Sequence, residues 1–146
     1  MRCILFLFAI IFLGIGCKKK EHKLSSEVQD IVNGFSDDSM MYVGGEDYQK
    51  LLKASSSRDL LILTSHKNPY VRCYSFDALI EKDSLDVQKV FFEHLNDTVD
   101  YIRIYAGDVT PSDNVRTQML LSLHPNGSSR YRFTRKEFDR LFWKYR

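Results

Sequence analysis

The feature that most limits what this chain can fold into lies at its start. Ile4 to Ile15 is a run of Ile, Leu and Phe relieved only by Ala9 and Gly14, with Arg2 ahead of it and Gly16 behind it. A spanning helix needs about 20 apolar residues to cross roughly 30 Å of hydrocarbon, so this run is short for a span and suits the apolar region of a signal peptide. Apolar residues stop at Cys17, and Lys18-Lys19-Lys20-Glu21-His22-Lys23 follows. With residues 1–16 read as a signal peptide, 130 of the 146 residues remain to fold. That is enough for one domain and not two.

No disulfide is available to hold that domain. Cys3 leaves with the signal peptide, Cys17 ends the apolar run, and Cys73 stands alone. The domain must therefore rest on an apolar core, and Cys73 is expected inside it as a small hydrophobe rather than a nucleophile.

Gly14-Ile15-Gly16-Cys17 resembles the lipobox of bacterial lipoproteins. Gly14 stands where that family prefers Leu, and Leu13 lies one place further back. The resemblance implies cleavage before Cys17, a diacylglyceryl group on its thiol, and a charged tether over residues 17–24. Lys18 in place of Asp after the cysteine implies sorting to the outer membrane. Several lipid chains together make a stable anchor, and the lysines add attraction to anionic headgroups. A chain so anchored lies outside the cytoplasm, which speaks against a nucleic-acid partner.

Charge is uneven along the mature chain. From Arg130 onward there are seven Lys or Arg and two acids, a local +5, whereas residues 17–129 hold thirteen bases and seventeen acids, a local −4. The asymmetry marks a basic end and not a basic protein.

The body reads as helices. Val28, Ile31 and Val32 fit a short helix opened by Ser25 or Ser26, and residues 35–45 read as a loop broken by Asp37-Asp38-Ser39 and Gly44-Gly45. Tyr48, Leu51 and Leu52 mark a second helix, and Leu60, Leu61 and Leu63 a third after Ser55-Ser56-Ser57. Pro69 suits the first turn of a helix, where its missing N–H costs nothing. In that helix Val71, Ser75, Ala78 and Leu79 share one face beside Cys73, Phe76 and Ile80. Asp83 is placed to cap a helix with Val87, Val90, Phe91 and Leu95 inward, and Ser112 or Asp113 to open one with Val115, Met119, Leu120 and Leu123 inward. After the turn His124-Pro125-Asn126-Gly127, Thr134 and Glu137 form a capping box. Phe138, Leu141, Phe142 and Tyr145 then follow at i, i+3, i+4, i+7. No long alternating strand pattern is read.

A shift of 31 residues lays Tyr70, Arg72, Tyr74 and Asp77 on Tyr101, Arg103, Tyr105 and Asp108. Asn68-Pro69-Tyr70-Val71-Arg72, with Ala78-Leu79 after it, resembles the start of a HEAT repeat, and Asp97 to Arg103 reads as a second copy without the proline. The likeness covers residues 46–124 at most and is specific over 60–110. It implies an all-α fold: a short HEAT-like stack of antiparallel helical hairpins over residues 25–146, closed by a C-terminal amphipathic helix.

Chemistry is sparse. His22, His66, His94 and His124 are scattered, without the spacing of a metal site. The glycines form no phosphate-cradling loop, and Ser55 to Ser57 lack the context of an activated nucleophile. No cofactor, metal or catalytic residue is expected. Asp38-Ser39-Met40, Asp83-Ser84-Leu85 and Asp97-Thr98-Val99 resemble the short acceptor motif of bacterial O-glycosylation. The function these features imply is a membrane-anchored, non-catalytic protein-interaction module of the envelope, an immunity or inhibitor lipoprotein being one version. Its membrane partner is reached through lipid on Cys17, and Arg135, Arg140 and Lys144 are the candidate contacts to an acidic partner or anionic lipid. The rival is an envelope hydrolase whose site is assembled from scattered residues.

Overall fold

The structure, a computed structural model, describes residues 22–35, 40–42, 44–83, 87–105 and 111–145. The signal peptide, Cys17, Lys18, Ser39 and Ser84 lie outside the described residues.

Among the described residues the elements are α1 (Ser26–Asn33), β1 (Met40–Met41), α2 (Glu46–Ala54), α3 (Ser57–Leu63), α4 (Pro69–Lys82), α5 (Val87–Glu93), β2 (Tyr101–Ile104), β3 (Ser112–Asn114), α6 (Val115–Ser122) and α7 (Arg135–Tyr145). Helices hold 58% of them. The fold is thus mostly helical, but it is not all-α, and no stack of hairpins is seen among the described residues.

Local chemistry explains the helix starts. Ser25 Oγ accepts from the Val28 N–H at 3.2 Å and opens α1. Ser56 and Asp59 form a reciprocal capping box at α3. Asn68 Oδ1 accepts from Tyr70 and Val71 ahead of α4, with Pro69 in the first turn. Gly44, at φ +90°, turns the chain into α2 in a region that L side chains rarely adopt.

Helix α4 is the axis of the domain. Tyr70 to Phe76, with Ala78 and Leu79, are buried, because α2, α3, α5, α6 and β2 all pack around it. A helix apolar on most faces needs such an enclosure. Its buried cation is engaged through both terminal nitrogens, while Nε, though near a carboxylate, makes no hydrogen bond. Arg72, 6% exposed, donates through Nη1 to the carbonyls of His66 and Lys67 at 2.8 and 3.0 Å. Its Nη2 reaches Asp97 Oδ1 and Asp100 Oδ2 at 3.1 and 2.6 Å, and Nε lies 2.8 Å from Asp97 Oδ2. Asp83 ends α4 in the left-handed region, at φ 55°, rather than opening the next helix.

The second repeat copy is corrected by the sheet. Tyr101 to Ile104 form a strand, not a helix, at the centre of a sheet ordered β1-β2-β3. β1 runs parallel to β2 with Met40 opposite Arg103 and Met41 opposite Ile104. β3 runs antiparallel with Ile102 opposite Asp113, so Ser112 and Asp113 lie in a strand, and Asn114 caps α6 instead. Met41 and Ile102 are fully buried, and their strands' alternate residues face out. β-branched Ile102 and Ile104 suit a pleated, half-buried surface. Within the segment read as loop, 40–41 is a short strand.

Helix α7 docks by the stripe expected for it. Phe138 and Leu141 are buried, Phe142 and Tyr145 partly so. The Phe138 ring meets the His124 ring edge-on at 4.6 Å. Thr134 N–H donates to Glu137 Oε2 at 3.0 Å and Glu137 N–H to Thr134 Oγ1 at 3.3 Å, which completes the capping box. Arg116 donates from Nη2 to the Tyr145 carbonyl.

Candidate functional site

Three surfaces gather polar or aromatic side chains in a way that could serve a partner or a substrate. The first is the outward face of the sheet. Because side chains alternate along a strand, Tyr101, Arg103 and Tyr105 point away from buried Ile102. The parallel register brings Tyr42 beside Tyr105, their rings edge to face at 5.4 Å. Tyr101, Tyr42 and Tyr105 are 61%, 55% and 53% exposed. Val99, just before β2, is 85% exposed. The backbone holds this face in place: Tyr105 N–H donates to the Met41 carbonyl at 2.8 Å and Tyr42 N–H to Tyr74 Oη at 2.7 Å. Arg103 N–H donates to Tyr70 Oη at 3.1 Å. Sequence reasoning misses this face. Its signal is the alternation of Val99, Tyr101, Arg103 and Tyr105 with Ile102 and Ile104.

The second is an open cleft of about 960 Å³ between α4, α6 and the turn before α7, lined by Tyr48, Asp77, Glu81, Asp83, Ser122 and Arg130 among others. Asp77 and Glu81 are four residues apart on α4 and so share a face. That spacing is legible in the sequence, although the cleft it serves is not. Burial pushes the Asp77 carboxyl up to about 7, and a hydrogen bond with Ser122 opposes the rise. Tyr48 Oη donates to Glu81 Oε2 at 2.7 Å, and burial and this bond hold the tyrosine proton firmly in place. Asp83 is paired with Arg130 through Oδ1, and its carbonyl accepts from Arg130 Nη2 at 3.1 Å. The cleft therefore holds one carboxyl poised to take or give a proton near neutrality, with its two acidic neighbours already engaged.

The third is the outward face of α7. Arg135, Arg140 and Lys144 are all exposed there. Arg140 and Lys144 fall on one stripe with Lys136 and Trp143, while Arg135 turns to Asn126 Oδ1 at 3.3 Å, near the start of the helix. The fold thus brings two of the three expected contacts together and sets the third aside.

The histidines serve structure. His22, in the tether segment, bonds Asp59 Oδ1 through Nε2 at 2.7 Å. Burial pushes the Asp59 carboxyl up, but bonds from Ser56 and His22 outweigh it and leave the net value lowered. His94 Nδ1 lies 3.5 Å from Asp97 Oδ2, and His66 Nδ1 accepts from the Asn68 N–H at 3.1 Å. Among the described residues no group of three or more His, Cys, Asp or Glu is placed to hold a metal ion. Cys73 is 1% exposed, and burial drives its thiol well above the usual range. Among the described residues no helix is long and apolar enough to cross a membrane.

Comparison of the chain with protein-family models, with curated proteins and with solved structures finds no match in any of the three.

Proposed function

We propose that this chain is an envelope lipoprotein, cut before Cys17 and lipid-anchored in the outer membrane, whose domain is a non-catalytic protein-interaction module. The observation that carries the interaction reading is the exposed tyrosine face of the sheet. Tyrosine offers a large, rigid contact with one polar end and is enriched where interfaces concentrate their binding energy. Three such rings held on a hydrogen-bonded sheet form a preorganised surface, which lowers the entropy cost of association. The Gly14-to-Cys17 pattern and the charged residues after it support the anchor. Of the HEAT resemblance, the α3 and α4 pair with Asn68-Pro69 at its turn is the part this reading keeps.

Two measurements test it. Cys17→Ser should abolish labelling by a fatty-acid analogue and leave an uncleaved or soluble product; unchanged labelling refutes the anchor. Crosslinked capture from native membranes should yield a partner that a Tyr101→Ala, Tyr105→Ala chain loses by about tenfold or more, as truncation of interface tyrosines does. Both residues are exposed, so melting should stay near that of the parent. Equal capture by the two chains refutes the tyrosine face.

A second reading, an envelope hydrolase, draws on the cleft, where Asp77 ionises in the range wanted of a general acid or base. It requires turnover of a glycan, ester or peptide substrate that Asp77→Asn abolishes in a folded chain.

A further inference from the structure

We propose that the outward face of α7, built of Lys136, Arg140, Trp143 and Lys144, is an interfacial anchor that lies on an anionic bilayer. Lys136, Arg140 and Trp143 recur at i, i+4, i+7, and Lys144 follows Arg140 by one turn, so the four form one band along the helix. All are exposed, and Trp143 is 71% so. The opposite band, Phe138, Leu141, Phe142 and Tyr145, is the one that docks on the domain. The exposure of Trp143 is thus fixed by the docking of its own helix.

The charge on this band is nearly all positive. The two acids of α7 flank it: Glu137 accepts from the Thr134 N–H and hydroxyl and lies within electrostatic reach of Arg140, and Asp139 lies 4.0 Å from Arg135. Tryptophan seats its ring at the headgroup level of a bilayer, and the long basic side chains beside it keep their ends in water while meeting anionic lipid. The Phe142 ring stands edge-on to Trp143 at 5.5 Å and backs it with a second apolar surface.

The inference rests on the anchored-lipoprotein reading, which also limits where the domain sits. Lipid on Cys17 and the His22 bond to Asp59 are separated by a link that spans roughly 18 Å at full extension. A link that short keeps the His22 attachment point within about 18 Å of the headgroups, close enough for a face of the domain to reach them. A convex, basic helix bearing a tryptophan suits that flat acidic surface better than it suits a pocketed protein, and the tyrosine face of the sheet is left for the protein partner.

Trp143 is the chain's single tryptophan, so its emission reports on this face alone. The experiment reconstitutes the full-length mature chain, with its lipid, into vesicles of zwitterionic lipid and into vesicles carrying phosphatidylglycerol, each with a brominated-acyl quencher. Expected with phosphatidylglycerol are a blue shift and quenching of Trp143. Both should vanish in molar salt, where the screening length falls to about 3 Å. They should also be lost in a Lys136→Glu, Arg140→Glu chain whose far-ultraviolet spectrum and melting match the parent. Three basic contacts correspond to roughly a hundredfold in surface partitioning, so the anionic and zwitterionic vesicles should differ by at least tenfold in docked fraction. Emission that stays red-shifted and unquenched on anionic vesicles overturns the proposal and leaves the band to an acidic protein. Quenching that is equal on both vesicle types and indifferent to salt also overturns it. Vesicle attachment through Cys17 is scored separately by flotation, so a failed anchor is not mistaken for a failed face.

Discussion

Asp77→Asn should stabilise the folded chain at neutral pH and gain nothing at acid pH. The Asp77 carboxyl, ordinarily near 3.8, is pushed up to about 7 because its place in the cleft wall between α4 and α6 denies its charge water. Well below pH 3.8 folded and unfolded chains both hold this proton. As pH rises from 4 to 7 the unfolded chain releases it and the folded chain keeps it, so folding is progressively disfavoured; above 7 both have released it and the loss is constant. A gap from 3.8 to about 7 corresponds to about 4 kcal/mol at full extent. Because the residue is partly exposed, water shares the cost, and about 2–4 kcal/mol is the working range. Asparagine keeps the shape of the protonated acid and a hydrogen-bonding oxygen toward Ser122, but never ionises. Urea titrations of both chains at pH 4, 6 and 7.5 decide the matter. The variant's advantage should be about 2–4 kcal/mol at pH 7.5 and fall below about 1 at pH 4, out of a typical total of about 5–15 kcal/mol. An advantage that does not change with pH, or a variant weaker than the parent at pH 7.5, refutes the claim that burial governs this carboxyl.

Three further outcomes are expected. Arg72→Met should cost about 3–5 kcal/mol in urea titrations, because it leaves Asp97 without the cation that its site was built around; a loss under about 1 kcal/mol would mean the fork adds little. Phe138→Ala should cost about 3–5 kcal/mol for a truncated buried ring, while Arg135→Ala, Arg140→Ala and Lys144→Ala together should leave thermal melting nearly unaltered, being exposed; if Phe138→Ala melts like the parent, α7 is not docked. Cys73 should resist an aromatic disulfide reagent in the folded chain and react promptly once urea unfolds it; prompt reaction without urea would place it near the surface.

Helix positions are legible in the sequence where a residue's job is local. Ser25, Ser56, Asn68-Pro69 and the Thr134 to Glu137 box cap their helices through neighbours two or three residues away. The sites are less legible, because their parts meet across the chain. The cleft needs α4 to meet α6 and the segment around Arg130, and the tyrosine face needs Tyr42 to meet Tyr105 through a strand only two residues long. Asp77 looks like any helical acid; what distinguishes it is burial in a cleft wall shared with Ser122, some forty-five positions later, whose hydrogen bond only partly offsets the desolvation. Trp143 and its basic neighbours are visible as a band, since one helix holds them all. Arg135 groups with that band in sequence but not in space, because it sits about 100° round the helix from Lys136 and reaches Asn126 instead.

The apparent repeat fails for a reason that the burial pattern makes plain. Tyr-x-Arg-x-Tyr at 70–74 and at 101–105 is the same string in two environments. Tyr70 and Arg72 are 3% and 6% exposed, whereas Tyr101 is 61% exposed and Arg103 is exposed with it. True helical repeats bury the same positions in every copy, because each copy packs on the next. Here instead the two strings touch one another, Arg103 N–H donating to Tyr70 Oη. Alternating large and β-branched residues allow either a helix enclosed on all sides or a half-buried strand. The residues on the C-terminal side of each string decide between them. After Tyr74 come Phe76, Ala78, Leu79 and Ile80, which extend a helix into a waiting core. After Tyr105, Gly107 and Pro111 interrupt any helix. With no continuation to share the cost of helix nucleation, the second string is better satisfied by pairing its backbone with Met40-Met41 on one side and Ser112 to Asn114 on the other.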